Sequence, residues 1–167
     1  MKRLITFFIL IISIAMFAEM KFAYINSDKV LAEYSEAKKA KEELGKWNKE
    51  QENKAMQMEQ EIKKLEDEFK NMSVMISEEK KNEKMQEGQK KLMEYQQFKE
   101  MTWGQTGEFY KKNQTLMQPI IDKINEVIKS VSEKGKYDYV FDANTGTLLF
   151  AKPEYEITDE ILKELNK

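Results

Sequence analysis

Residues 30–76 read VLAEYSEAKKAKEELGKWNKEQENKAMQMEQEIKKLEDEFKNMSVMI. Stepping four and three residues alternately from Val30 visits Tyr34, Ala37, Lys41, Leu44, Asn48, Gln51, Ala55, Met58, Ile62, Leu65, Phe69, Met72 and Ile76. Eleven of those fourteen positions are apolar, and the repeat places them along one stripe of an α-helix. No proline occurs before Pro119, so no residue in this stretch lacks the backbone donor that a helix needs. A helix of this length requires another helix to cover its stripe. Lys41, Asn48 and Gln51 make the first half of the seam polar, which weakens packing and fixes register.

The covering helix is expected from the same chain. Around residues 71–79 the helix turns back, and Ser77 followed by Glu78 and Glu79 reads as an N-cap with acids in the first turn. Neither Gly nor Pro marks the turn, so an unbroken rod is the alternative. The stepping resumes at Met85, Gln89, Leu92, Gln96, Lys99, Trp103, Thr106, Tyr110 and Asn113, then at Met117, Ile120, Ile124, Val127 and Val131. The last five are apolar and belong to a packed core. Gly104 and Gly107 weaken the middle at about 1 kcal/mol each, Pro119 is expected to kink the helix, and Gly135 ends it behind Lys134.

Strands flank this hairpin. Residues 20–26 alternate as a short strand with both faces covered, and Ser27 with Asp28 then caps the long helix. Residues 137–142 form a second strand and 148–151 a third, joined as a hairpin through Ala143-Asn144-Thr145-Gly146. Thr158 caps a short last helix carrying Ile161, Leu162 and Leu165. The expected fold is α+β and mostly α. A long antiparallel helical hairpin, residues 36–117 with its tip near 71–79, is inserted in a small β body made of residues 19–35 and 118–167. Three short strands cannot build an independent core, whereas several chains closing a shared sheet can.

Composition narrows the function. Residues 1–18 read as a signal peptide: Lys2 and Arg3 precede an apolar run from Leu4 to Phe17, too short for a bilayer that needs about 20 residues. Cleavage falls after Ala15 or Ala18, which predicts a periplasmic location. The chain has no Cys and no His, which removes thiol and imidazole nucleophiles and the usual zinc sites. No glycine-rich phosphate loop occurs, and no cofactor is expected. The 28 Lys+Arg are balanced by 30 Asp+Glu, so neither nucleic acid nor an anionic membrane surface is supported as a partner. The carboxylates alternate with lysines, the pattern of a solvated helix face.

Three segments carry a resemblance to a known family. They are Phe22-Ala23-Tyr24-Ile25-Asn26-Ser27; Gln118-Pro119-Ile120 with Ile124 and Val127; and Gly135-Lys136-Tyr137-Asp138-Tyr139-Val140-Phe141-Asp142-Ala143. With the tail Leu148-Leu149-Phe150-Ala151 to Ile161, they resemble the Skp/OmpH family of periplasmic chaperones. The resemblance implies a jellyfish-like homotrimer with a small β-barrel body and helical arms. Between the arms it would hold unfolded outer-membrane proteins without ATP, and it would not be an enzyme. It also departs from the family in charge, because the well-known members are strongly basic and this chain is mildly acidic. Phe22, Tyr24, Tyr139, Val140, Phe141, Leu148 and Leu149 are the expected oligomerisation residues. Met58, Met72 and Met85 fall on the seam and read as hairpin packing. The candidate client contacts are Met56, Phe69, Met75, Met93, Tyr95, Phe98 and Met101, of which all but Phe69 fall off the seam. A structural spacer or tether in the envelope, with no client, is the competing reading.

Overall fold

The computed structural model describes residues 20–72 and 77–167. The expected signal peptide lies outside the described residues, as do residues 73–76 of the expected turn. In chain order the elements are β1 (Phe22–Ile25), α1 (Ser27–Glu33), α2 (Ser35–Met72), α3 (Glu78–Trp103), α4 (Glu108–Gly135), β2 (Tyr139–Asp142) and α5 (Thr158–Leu165). The protein is mostly helical with one small sheet, as the sequence predicts. It divides into two compact units, one made of the described residues up to Tyr34 with Lys123–Lys167, the other of Ser35–Asp122.

In the first unit β1 and β2 pair in parallel, with Phe22 opposite Tyr139, Ala23 opposite Val140, Tyr24 opposite Phe141 and Ile25 opposite Asp142. Parallel strands cannot be joined by a tight turn. Everything between them is therefore a crossover connection. The side of the sheet carrying Ala23 and Ile25 is buried against a core that includes Val30, Val127, Val131, Ile161 and Leu165. Phe22, Tyr139 and Phe141 on the other side stay 44%, 54% and 42% exposed. The expectation that both faces of β1 are covered is thus corrected for the single chain.

The ends of the sheet are tied by polar groups. The Lys21 N–H donates to the Asp138 carboxylate at 2.6 Å, the Asp138 N–H returns a bond to the Lys21 carbonyl at 2.8 Å, and Lys21 Nζ donates to the Gly135 carbonyl at 2.8 Å. Helix α4 ends in a Schellman turn, with the Tyr137 N–H on the Ser132 carbonyl and the Lys136 N–H on that of Glu133. Lys136, not Gly135, takes the left-handed conformation, at φ 55°. Gly135 is required for another reason: a Cβ there would fall on the Tyr137 ring.

Two caps differ from the sequence reading. Asn26 rather than Ser27 caps α1, accepting from the Lys29 N–H at 2.9 Å. Thr158 is the first residue of α5 rather than its cap. Its fully buried hydroxyl accepts from the Asn26 N–H at 2.9 Å and donates to Glu156 at 2.8 Å. The Ile157 N–H also reaches the Tyr24 carbonyl at 2.9 Å, so the tail flanks β1 on the side away from β2.

The expected third strand at 148–151 does not form, and residues 143–145 make a single 3₁₀ turn instead of a hairpin loop. Gly146 does adopt positive φ, 73°, but residues 147–151 just beyond it pair with neither strand. Leu149 and Phe150 are left 93% and 83% exposed. The apolar alternation is present in this segment, but no strand edge within the chain receives it.

Asp142 fastens the end of β2 to the start of α1. Its carboxylate accepts from the Ser27 N–H at 3.3 Å and the Asn144 N–H at 3.0 Å. Burial works against its charge, yet bonds from the Ser27 hydroxyl and from these two N–H groups outweigh it and hold the carboxyl below its ordinary value. A depressed folded pKa stabilises above the unfolded value, and that stability is lost as pH falls through the folded one. Asp142→Asn should therefore cost about 1 kcal/mol at pH 7. In urea melts the gap from wild type should close as pH drops below about 4. A gap independent of pH would show that the charge has no part in the fastening.

Candidate functional site

The second unit is an arm in which α2 and α3 run antiparallel. Lys91 bridges to Glu61 at 2.9 Å and Lys84 to Glu68 at 3.9 Å, so advance along one helix matches retreat along the other. The hydrogen bond that Lys84 donates to the Glu87 carboxylate raises its pKa, and the one that Lys91 donates to Glu61 does the same, so both remain charged at neutral pH. Further along, Trp103 Nε1 donates to Asn48 Oδ1 at 2.8 Å, Lys112 bridges to Glu43 at 2.8 Å, and the rings of Trp47 and Phe109 lie 6.4 Å apart. Gln51, buried on the seam, donates to the Trp47 carbonyl and accepts from Lys54. Asn48 thus acts as a register pin across the pair, as its position suggests, whereas these bonds of Gln51 lie within its own helix.

The returning helix is not continuous, contrary to the sequence expectation. It stops at Trp103 and restarts at Glu108, with Gly104 as the C-terminal cap of α3. Between the Glu61–Lys91 and Glu43–Lys112 bridges, α2 runs eighteen residues (61 to 43) while the return chain runs twenty-one (91 to 112). The interruption absorbs those three extra residues and resets the phase of the seam. On α3 the less exposed positions are Lys81, Lys84, Gly88, Lys91, Tyr95, Phe98 and Thr102, again in three-four steps, together with Trp103 at its end. Met85, Gln89, Leu92, Gln96 and Lys99, assigned to the seam from the sequence, are exposed.

The candidate contacts sort accordingly. Met56, Met93 and Met101 are exposed at 54%, 64% and 56%, and Met85 and Leu92, assigned to packing by sequence, join them at 48% and 44%. Tyr95 and Phe98 lie on the inner face, half-buried, with Phe98 edge-on to Trp103 at 5.9 Å. Their assignment off the seam is corrected. Phe69 is half-buried and lines a groove of about 230 Å³ with Ile62, Leu65, Met85, Gly88 and Leu92. Met75 lies outside the described residues. Exposure of Leu92 and Met85 could have been read from the sequence only by treating Gly104 and Gly107 as a break rather than as a weak spot.

A second apolar surface lies in the first unit. Phe22 stacks on Tyr139 at 5.7 Å and on Phe141 at 6.4 Å, all on the open face of the sheet. Val140, Tyr24 and Leu148 are half-buried, while Leu149 and Phe150 stand exposed. Among the described residues no helix is long and apolar enough to cross a membrane, and no group of His, Cys, Asp or Glu is placed to hold a metal ion.

The chain thus combines a long helical hairpin with a small parallel sheet and leaves apolar side chains open along the hairpin. The family described as "Outer membrane protein (OmpH-like)" matches residues 21–165, and the chain belongs to it. The Skp/OmpH family is of chaperone type and is not enzymatic. A Skp-like protein from Pseudomonas aeruginosa is 26% identical over 152 residues, 90% of this chain and 87% of its own. An uncharacterised protein from Aquifex aeolicus is 28% identical over 167 residues, 100% of this chain and 98% of its own. "Chaperone protein Skp" from Yersinia enterocolitica is 41% identical over 46 residues, 28% of this chain and 27% of its own. The fold is shared with a Caulobacter crescentus protein described as an OmpH-like outer membrane chaperone. Its TM-score is 0.77 at 14% identity, over 89% of this chain and 85% of that one.

The arm's glycines separate two effects. A Cβ on Gly88 meets nothing within 4 Å, whereas one on Gly104 would fall on the Glu100 carbonyl and one on Gly107 on the Thr102 carbonyl. Gly88→Ala should raise stability by about 1 kcal/mol through helix propensity. Gly104→Ala should lower it by about 1–3 kcal/mol through overpacking. Urea denaturation followed by tryptophan fluorescence checks both, and the reverse order would contradict the interruption as a built feature.

Proposed function

We propose that the protein is an ATP-independent holdase of the periplasm, exported by a signal peptide in residues 1–18. It binds unfolded outer-membrane β-barrel proteins on its arms and keeps them from aggregating. The observation that carries this reading is the open apolar surface of the arm, where Met56, Met85, Leu92, Met93 and Met101 are exposed. Flexible, polarisable thioethers suit a surface that accepts many sequences. The groove beside Gly88 adds a recess for an apolar client side chain. A spacer without clients would gain nothing from these residues, and their exposure counts against that alternative. Within this reading, residues 36–117 are the arm, and residues 19–35 with 118–167 are the body.

The holdase works as a homotrimer, with the body as the trimerising element. Support comes from the open stack of Phe22, Tyr139 and Phe141, and from the bare Leu149 and Phe150 beside a sheet of only two strands. Three copies placing these segments together would bury apolar surface worth about 25 cal/mol per Å². Phe141→Asp should lower the assembled mass to that of a single chain in light scattering at micromolar concentration. A wild-type mass in that variant would place the interface elsewhere.

Replacing Met56, Met85, Met93 and Met101 together by Gln keeps length and helix propensity and removes apolar contact. Helicity and assembled mass should stay as in wild type, while affinity for an unfolded outer-membrane barrel falls about tenfold or more, because several weak contacts act together. The near-balanced charge predicts only a modest response of binding to salt. Fluorescence titration of the barrel at two ionic strengths measures both. Equal affinities for the two proteins would show that the methionines are not the grip, and a steep salt dependence would point to charged patches instead.

A further inference from the structure

The chain has eleven methionines and no cysteine, so its sulfur chemistry is thioether chemistry alone. On the arm the methionines divide by exposure. Met56, Met85, Met93 and Met101 are about half or more open to solvent, whereas Met58 and Met117 are partly covered. A thioether is oxidised where an oxidant can approach its sulfur, and the product is a polar, chiral sulfoxide that methionine sulfoxide reductases reverse. With no thiolate in the chain to react first, these four side chains are the open thioether targets among the arm's described side chains.

We propose that Met56, Met85, Met93 and Met101 form a reversible modification site for peroxides, and that their oxidation weakens the arm's hold on clients without unfolding the arm. In each event a sulfur lone pair attacks one peroxide oxygen; an S–O bond forms, the O–O bond breaks, and the other oxygen leaves as water. The sulfur loses two electrons and the peroxide gains them. The fold tolerates the change because the four residues lie outside the buried and half-covered seams of α2 and α3. The bonds that set the register, Trp103 to Asn48 and Lys91 to Glu61, involve none of them. The sulfoxide replaces apolar surface by a strong hydrogen-bond acceptor at the places where apolar contact is offered. The effect on clients rests on the holding function proposed above; the selectivity of oxidation does not.

The test treats the full-length mature protein with limiting hydrogen peroxide and maps oxygen addition by peptide mass spectrometry. Oxygen should appear at Met56, Met85, Met93 and Met101 several-fold faster than at Met58 and Met117. Met20, 60% exposed in the body, serves as the measure of free reactivity. Equal rates at covered and exposed positions overturn the site. Circular dichroism and light scattering should not change, and loss of helix in step with oxidation overturns the claim that the arm stays folded. Affinity for an unfolded outer-membrane barrel should fall about tenfold and recover with a methionine sulfoxide reductase. The quadruple Gln variant should show no further fall on oxidation. Undiminished binding by fully oxidised protein overturns the effect on the grip. Absence of binding by untreated protein overturns the holding function itself, and with it that effect, while the mapping still decides the site.

Discussion

The parallel pairing of β1 with β2 is the constraint from which the rest of the chain follows. Two strands in parallel register need a connection that leaves one end of the sheet and returns to the other. Here that connection is the whole stretch from Asn26 to Asp138. A connection of that length as loose coil would leave its backbone donors and acceptors to water, whereas helices satisfy them internally. The ties at the strand ends hold the point of return: Lys21 with Asp138 and Gly135, Asp142 with Ser27, and Thr158 with Asn26. Each joins residues more than a hundred positions apart in sequence.

The same pairing leaves apolar area open. One face of a two-stranded sheet can be covered by α1, α4 and α5, but among the described residues the Phe22, Tyr139 and Phe141 face is left exposed. Isolated two-stranded sheets are marginal in water, and an open aromatic stack beside an unpaired apolar segment is the composition of an interface core. The failure of residues 148–151 to form a strand within the chain and the openness of this face are two sides of one shortage of partners.

Much of this was legible in the sequence because periodicity survives averaging. The repeat from Leu44 to Phe69 falls on covered residues of α2, although Lys41 is exposed and Ala40 is buried in its place, and the run from Ile120 to Val131 gives the buried stripe of α4. Ser77 caps α3 as its type suggests, accepting from the Lys80 N–H. What was not legible depends on single hydrogen bonds or on phase. Whether Asn26 or Ser27 caps a helix is decided by the backbone angle of one residue. Thr158 serves the β1 end rather than its own helix because a distant N–H lies within reach. The return helix was misread between Met85 and Lys99 because one continuous register was extended back from the well-marked run after Met117. A three-residue insertion changes which side of a helix faces its partner, and it leaves no trace in composition.

That phase change links packing to function. With Gly88, Tyr95 and Phe98 turned inward, the inner face of α3 carries one residue with no side chain, three lysines at 81, 84 and 91, and two half-buried rings. Such a face packs loosely, and the groove beside Gly88 is the space it leaves. Meanwhile Met85 and Leu92 are turned outward, where a tightly wound hairpin would have buried them. A protein that keeps apolar side chains open must avoid joining to copies of itself along the arm. The exposed methionines here are interleaved with Glu, Lys and Gln along α2 and α3, which breaks the apolar area into smaller pieces and disfavours stable association. An extended unfolded chain can touch many such pieces at once, whereas a folded surface meets few of them. The interruption at Gly104–Gly107 thus trades seam packing for scattered apolar side chains, which is the kind of surface that the proposed holding of unfolded chains requires.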